Sequence, residues 1–97
     1  MNFYDSEEAV YKRVLIIREQ HGVCGVCGKL FTDFNPPEIA HRIPKHKKWL
    51  KKYGKEIIHH RLNLVATCKN CNSSVLVNPA TLPGKALIAE IRQAISC

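Results

Sequence analysis

Four of the five cysteines in this 97-residue chain fall in two matched pairs. Cys24-Gly-Val-Cys27 and Cys68-Lys-Asn-Cys71 each hold two residues between their thiols, and forty residues separate the pairs. A Cys-x-x-Cys turn aims two thiolates at one cation, and two such turns supply the four soft ligands of a tetrahedral Zn2+ ion. Four protein ligands leave no coordination position open, so the expected ion is structural. Two disulfides are the competing reading. The paired spacing, the glycines Gly25 and Gly28 and a reducing compartment favour the metal. Cys97 is left over and is expected to be a free thiol.

The interval between the pairs carries the other chemistry-bearing residues. His41 lies in Glu38-Ile-Ala-His41-Arg-Ile-Pro44, and Asn63 opens Asn63-Leu-Val-Ala-Thr-Cys68. Asn72 follows Cys71 directly, nine residues after Asn63. An imidazole with an unperturbed pKa near 6.5 offers a neutral base at cellular pH. Each of these residues also has a plain structural use. A strand histidine is usually a partly buried polar group, and asparagine is common at turns and caps. Their order within the cysteine frame is what carries information.

The elements that must position them can be read from pattern. Residues 6–20 predict a helix with Asp5 as N-cap, Glu8 completing a capping box, and Val10, Tyr11, Val14, Leu15 and Ile17 as its apolar face; Gly22 ends it. Asp-Phe-Asn-Pro-Pro before Glu38 predicts a loop. Glu38–Ile43 predicts a strand stopped by Pro44, with Glu38 and Ala40 on one face and Ile39 and His41 on the other. Residues 45–53 predict a basic helix ending at Gly54, with Trp49, Leu50 and Tyr53 as its stripe and as packing residues ahead of base-stacking ones. A turn through Ile57-Ile58-His59-His60 then leads into a second strand over 61–67. Residues 72–77 predict a short helix broken at Asn78-Pro79. Residues 84–96 predict an amphipathic helix with Leu87, Ile88, Ile91, Ala94 and Ile95 on one face. The expected architecture is a single α+β domain over 1–97, a zinc-stabilised core at 24–77 with flanking N- and C-terminal helices.

Charge points to the partner. The formal net charge is +7. Arg42, Lys45, Lys47, Lys48, Lys51, Lys52, Lys55 and Arg61 face a single acid, Glu56, within one fifth of the chain. A polyanion is the expected partner, nucleic acid ahead of an anionic membrane surface. The N-terminal residues lack the pattern of a signal peptide and no apolar run is long enough to span a bilayer, so a cytoplasmic setting without membrane attachment is expected.

With these residues in view, the segment from about Cys24 to Val77 resembles the HNH endonucleases, the ββα-metal nucleases. The carriers are Cys24-x-x-Cys27, Glu38-Ile-Ala-His41-Arg-Ile-Pro44 and Asn63-Leu-Val-Ala-Thr-Cys68-x-x-Cys71-Asn72, with His41, Asn63 and Asn72 at the H, N and N positions. The resemblance implies metal-dependent hydrolysis of phosphodiesters in DNA, with DNA ahead of RNA. His41 would be the general base and Asn63 would hold the hairpin loop and orient the ring. Asn72 would be a ligand to one divalent cation, Mg2+, Mn2+ or Ni2+. Arg42, Lys45, Lys47, Lys48, Lys51, Lys52 and Lys55 would contact phosphates with little sequence specificity.

The chain departs from the family pattern at Ala40, where many members carry an aspartate ligand. Glu38 on the same strand, His59 or His60, or substrate phosphates would have to complete the cation's shell. The rival expectation is a zinc-stabilised nucleic-acid-binding module that has lost catalysis. A protein adaptor working through its last helix is a third. Cutting both strands would call for a homodimer or an accessory protein.

Overall fold

The computed structural model describes residues 7–96. Its elements are α1 (Glu7–Glu19), β1 (Glu38–His41), α2 (Lys47–Tyr53), α3 (Lys55–Ile58), a 3-10 turn (Arg61–Asn63), β2 (Leu64–Thr67), a 3-10 segment (Lys69–Val75) and α4 (Leu82–Ser96). β1 and β2 pair as a two-stranded sheet. The architecture is thus small and α+β, as the sequence predicts. The expected cap Asp5, the side chain of Glu8 and Cys97 lie outside the described residues.

The chain forms two compact units, each discontinuous in sequence: the residues up to Ala40 with Ala66–Ser74, and His41–Val65 with the chain from Val75 onward. All four paired cysteines fall in the first unit, and His41, His59, His60 and Asn63 in the second. Counted over the sequence, the first unit holds five Lys or Arg against six acids. The second holds ten against only Glu56 and Glu90. The basic character of the protein therefore belongs to the second unit.

In the cysteine unit, α1 does not bury the face that its periodicity suggests. Val10, Tyr11 and Val14 are exposed, whereas Ala9 and Ile16 are buried. A helix with apolar residues on more than one side can satisfy either face, and the choice falls to tertiary contacts. Gln20 sits just past the helix on the buried side. Its Nε2 donates to the carbonyls of Val23 (3.0 Å) and Ala66 (2.8 Å), and its Oε1 accepts from the Ala66 amide (2.9 Å). A side-chain amide thus substitutes for a strand neighbour on the backbone of β2.

In the helical unit, Ile43, Ile57, Ile58, Leu87, Ile88 and Ile91 form the core, with Trp49, Leu50, Tyr53 and Leu62 packed against it. The aromatic residues of α2 are therefore packing residues. Gly54 ends α2 with φ +85°, a conformation that L side chains resist, and lets α3 begin at once where a plain turn was expected. β1 is shorter than the predicted Glu38–Ile43, and its burial rises along the strand instead of alternating: Glu38 and Ile39 are half-buried, Ala40 and His41 buried. Likewise 61–63 is a 3-10 turn, so Asn63 precedes β2 and does not open it. The residues from 69 to 75 form a 3-10 segment where a helix from Asn72 was expected. Ala94 and Ile95 on α4 are exposed, which narrows its buried face to Gly84, Leu87, Ile88 and Ile91.

Gly84 is fixed by crowding. A Cβ there would meet the Asn78 carbonyl oxygen and lie 2.6 Å from the Pro79 Cα, both backbone atoms. Backbone cannot swing aside, so Gly84→Ala should destabilise the chain by roughly 1–3 kcal/mol despite alanine's better helix propensity. A lowered urea midpoint with unchanged slope checks this; an unchanged or raised midpoint contradicts it.

Candidate metal centre and histidine pair

The first knuckle is a local product of its sequence. The Gly28 amide donates to the Cys24 carbonyl (3.0 Å) with φ +76° at Gly28, and the Cys24 amide donates to Lys29 (2.9 Å). The second closes through the Cys71 amide on the Cys68 carbonyl (3.0 Å). Together they bring the four Sγ atoms within 4.8 Å of one another. Cys27 Sγ and Cys68 Sγ stand 3.7 Å apart. Tetrahedral Zn–S bonds of about 2.3 Å would place neighbouring sulfurs about 3.8 Å apart, so the donor set fits Zn2+ in both chemistry and size.

Polar hydrogens surround the sulfurs. Cys24 Sγ accepts from the amides of Val26 (3.3 Å), Cys27 (3.5 Å) and Cys68 (3.3 Å). Asn35 Nδ2 donates to Cys68 Sγ (3.3 Å) and to the Leu30 carbonyl (3.1 Å). The thiols respond unequally. Burial pushes Cys24 up, but the amides of Cys27, Cys68 and Val26 overcome it and bring its pKa down to about 6. Burial and the neighbouring Cys27 and Cys24 push Cys71 up to about 12. Crowded sulfurs cannot all ionise by themselves, and a divalent cation reverses that by binding thiolates and releasing protons. Cys24 and Cys68 are buried, Cys71 half-buried and Cys27 exposed.

His41 ends β1 and is only 7% exposed. Its Nε2 lies 3.0 Å from Nδ1 of His59, with the rings edge to face. Burial, then the positive fields of His59 and Lys45, lower its pKa to about 4. The ring is neutral at cellular pH, as a base must be, and weaker than an unperturbed imidazole.

Asn63 is fully buried, and its side-chain amide is used on both sides. Oδ1 accepts from the Ile43 amide (2.8 Å), while Nδ2 donates to the carbonyls of Ile43 (3.0 Å) and Ile58 (2.8 Å). Asn63 thus grips the chain two residues beyond His41 and one residue before His59. His60 Nδ1 accepts from the Leu62 amide (3.1 Å) and caps the 3-10 turn. His46 caps α2 in the same way, through the Lys48 amide (3.4 Å).

Of the other expected site residues, Asn72 and Glu38 are half-buried in the cysteine unit, whereas His59 and His60 belong to the helical unit. Among the described residues, the four cysteines are the one cluster of three or more His, Cys, Asp or Glu ligands. A hard cation prefers several oxygen donors, and Ala40 supplies none. Lys45, Lys47, Lys48, Lys51, Lys52 and Lys55 are all exposed and Arg42 is half-buried. Lys48 and Lys52 lie over the rings of Trp49 and Tyr53, at 4.8 and 5.5 Å from the centroids. The His41–His59 contact, the Asn35–sulfur bond and the Gln20 clamp escape sequence reading, since each joins residues far apart in the chain.

No family model matches the chain, and no solved structure matches it. The ferric uptake regulation protein of Helicobacter pylori (strain J99) is 37% identical over 54 residues, which are 56% of this chain and 33% of that protein. The chain therefore spans about a third of the length of this curated relative.

Two expectations follow. Native mass spectrometry should show one Zn2+ per chain, and a strong chelator should remove metal and near-ultraviolet signal together; a folded, metal-free protein would refute the centre. His41 is depressed in the folded chain and returns to about 6.5 on unfolding, so the unfolded chain binds more protons between pH 6.5 and 4. Stability is lost as pH falls through that window. The stability of the wild type relative to His41→Gln should drop by about 2 kcal/mol between pH 7 and pH 5 in paired urea titrations.

Proposed function

We propose that the chain is a small metal-dependent endonuclease of HNH type that nicks or cuts DNA, with His41 as general base. The observation that carries this reading is the hold of Asn63 on the chain beside a buried, neutral His41, at the positions where the family resemblance sets these two residues. The base reading needs an imidazole that is unprotonated near pH 7, and the lowered pKa of His41 supports it. Water would lose a proton to His41 as its oxygen attacks phosphorus.

The exposed lysines from Lys45 to Lys55 would hold the DNA backbone, and the excess of positive charge in the same unit as His41 supports that assignment. Several such contacts make binding fall steeply with salt and favour no sequence. A divalent cation, Mg2+, Mn2+ or Ni2+, would supply charge neutralisation at the phosphate. Asn72, Glu38 and His60 are the residues proposed toward it.

Ala40, which offers no ligand where many members of that family carry an aspartate, favours a second reading. The chain would then be a zinc-stabilised nucleic-acid-binding module without catalysis.

Supercoiled plasmid separates the two. Wild type with Mg2+, Mn2+ or Ni2+ should convert it to nicked circles, and none should form without metal. His41→Ala should slow nicking by roughly 10²- to 10⁴-fold while salt-sensitive DNA binding is kept. Binding without nicking under every metal would leave the binding module as the function.

A further inference from the structure

His59 enters the sequence reading only as one candidate metal ligand, yet its ring is the one that meets His41. The contact is built from backbone outward. Ile57 and Ile58 bury α3 in the core, and the His59 amide closes that helix on the Lys55 carbonyl (2.9 Å). Asn63 then ties Ile58 to Ile43 through one amide group, 2.8 Å to the first carbonyl and 3.0 Å to the second. Ile58, next to His59, and Ile43, two residues beyond His41, are thereby tied together, and Nε2 of His41 lies 3.0 Å from Nδ1 of His59.

At 3.0 Å a single proton lies between the two nitrogens, and two arrangements are available. In the first, His41 donates from Nε2 and His59 accepts at Nδ1, so the lone pair of the His41 ring is at Nδ1. In the second, His59 donates from Nδ1, and a neutral His41 carries its proton on Nδ1. Only the first gives His41 a basic nitrogen outside the pair.

We propose that His59 is a positioning residue for His41: it accepts the Nε2 proton of His41 and so fixes Nδ1 as the atom that takes the proton from water. This rests on the reading of His41 as the general base. The step balances simply. A water O–H bond breaks, its electron pair stays on oxygen as that oxygen bonds to phosphorus, and the proton goes to His41 Nδ1. His41 becomes an imidazolium, and its Nε2–H bond to His59 turns into a charge-assisted one, which spreads the new charge. The P–O bond to the leaving sugar breaks with its electrons on that oxygen. Solvent protonates the leaving oxygen, and His41 later returns its proton to solvent. His59 supplies orientation, as the carboxylate of a Ser-His-Asp triad does, but as a neutral and therefore weaker partner.

Long-range 15N–1H NMR on the zinc-loaded full chain reads the tautomer directly. The wild type should show His41 protonated at Nε2 and His59 unprotonated at Nδ1. His59→Phe removes the acceptor and should leave His41 as a mixture of tautomers. His59→Asn sets an amide oxygen close to where Nδ1 stood and should restore the Nε2–H form. Plasmid nicking should follow the same order, with kcat down about 10- to 100-fold in His59→Phe, partly recovered in His59→Asn, and KM unchanged; the loss is smaller than for a whole general base. His41 protonated at Nδ1 in the wild type, or a His41 tautomer indifferent to His59→Phe, overturns the proposal. A wild type that shows the Nε2–H tautomer, dependent on His59, but nicks nothing supports the pairing and removes the nuclease reading alone.

Discussion

The buried amide of Asn63 is the interaction on which the helical unit depends. Its side chain makes three hydrogen bonds at 2.8–3.0 Å, and its own carbonyl accepts from the Arg42 amide at 2.8 Å. These bonds satisfy backbone groups of Ile43 and Ile58, two fully buried residues whose polar atoms have no access to water. Each such group left unpaired would cost about 1–3 kcal/mol, a large fraction of the 5–15 kcal/mol that holds a typical domain together. One side chain therefore secures the core at both isoleucines and, by the same bonds, sets the separation of His41 and His59.

The cysteine unit solves a different problem. Among its described residues the buried side chains are mostly small: Ala9, Cys24, Ala40, Ala66, Thr67 and Cys68 beside Ile16. A chain with so little apolar surface to bury gains from a metal, because the binding free energy of the ion becomes folding free energy. Three backbone amides donate to Cys24 Sγ and the Asn35 amide to Cys68 Sγ, and these bonds orient the two sulfurs. Gln20 plays the corresponding part for β2. The two units thus rest on different forces, thiolate coordination in one and an isoleucine core with a buried amide in the other.

The depressed pKa of His41 reflects a compromise between position and strength. Burial and Lys45 penalise the protonated ring, and His59 does so when it is itself protonated. They keep it neutral, which a base requires, but a base with pKa about 4 has less driving force than one poised near 7. On the proposed nuclease reading, a phosphate anion seated beside the ring would oppose the positive fields of His59 and Lys45 and raise its affinity for a proton. The same anion would be drawn by the ten Lys and Arg of this unit, so substrate binding and base activation would be linked by one electrostatic field.

What the sequence determines by itself is local. The Cys-x-x-Cys spacing, the glycine at 28, the basic run and the helix stop at Gly54 are all set by neighbours within a few residues, and the structure keeps each of them. The metal cluster is legible for the same reason, since thiolate chemistry narrows its partners to four residues. Tertiary structure decided everything that joins distant segments. It chose which side of α1 is buried: of the expected face Val10, Tyr11, Val14, Leu15 and Ile17, the first three are exposed and the last two half-buried. It shortened β1, and it turned two histidines, His46 and His60, into backbone caps. It alone brought His59 to His41 across eighteen residues. Periodicity and motif report what a residue can offer, but a hydrogen bond between remote rings forms only where the packed backbone delivers both, and here that delivery runs through Asn63.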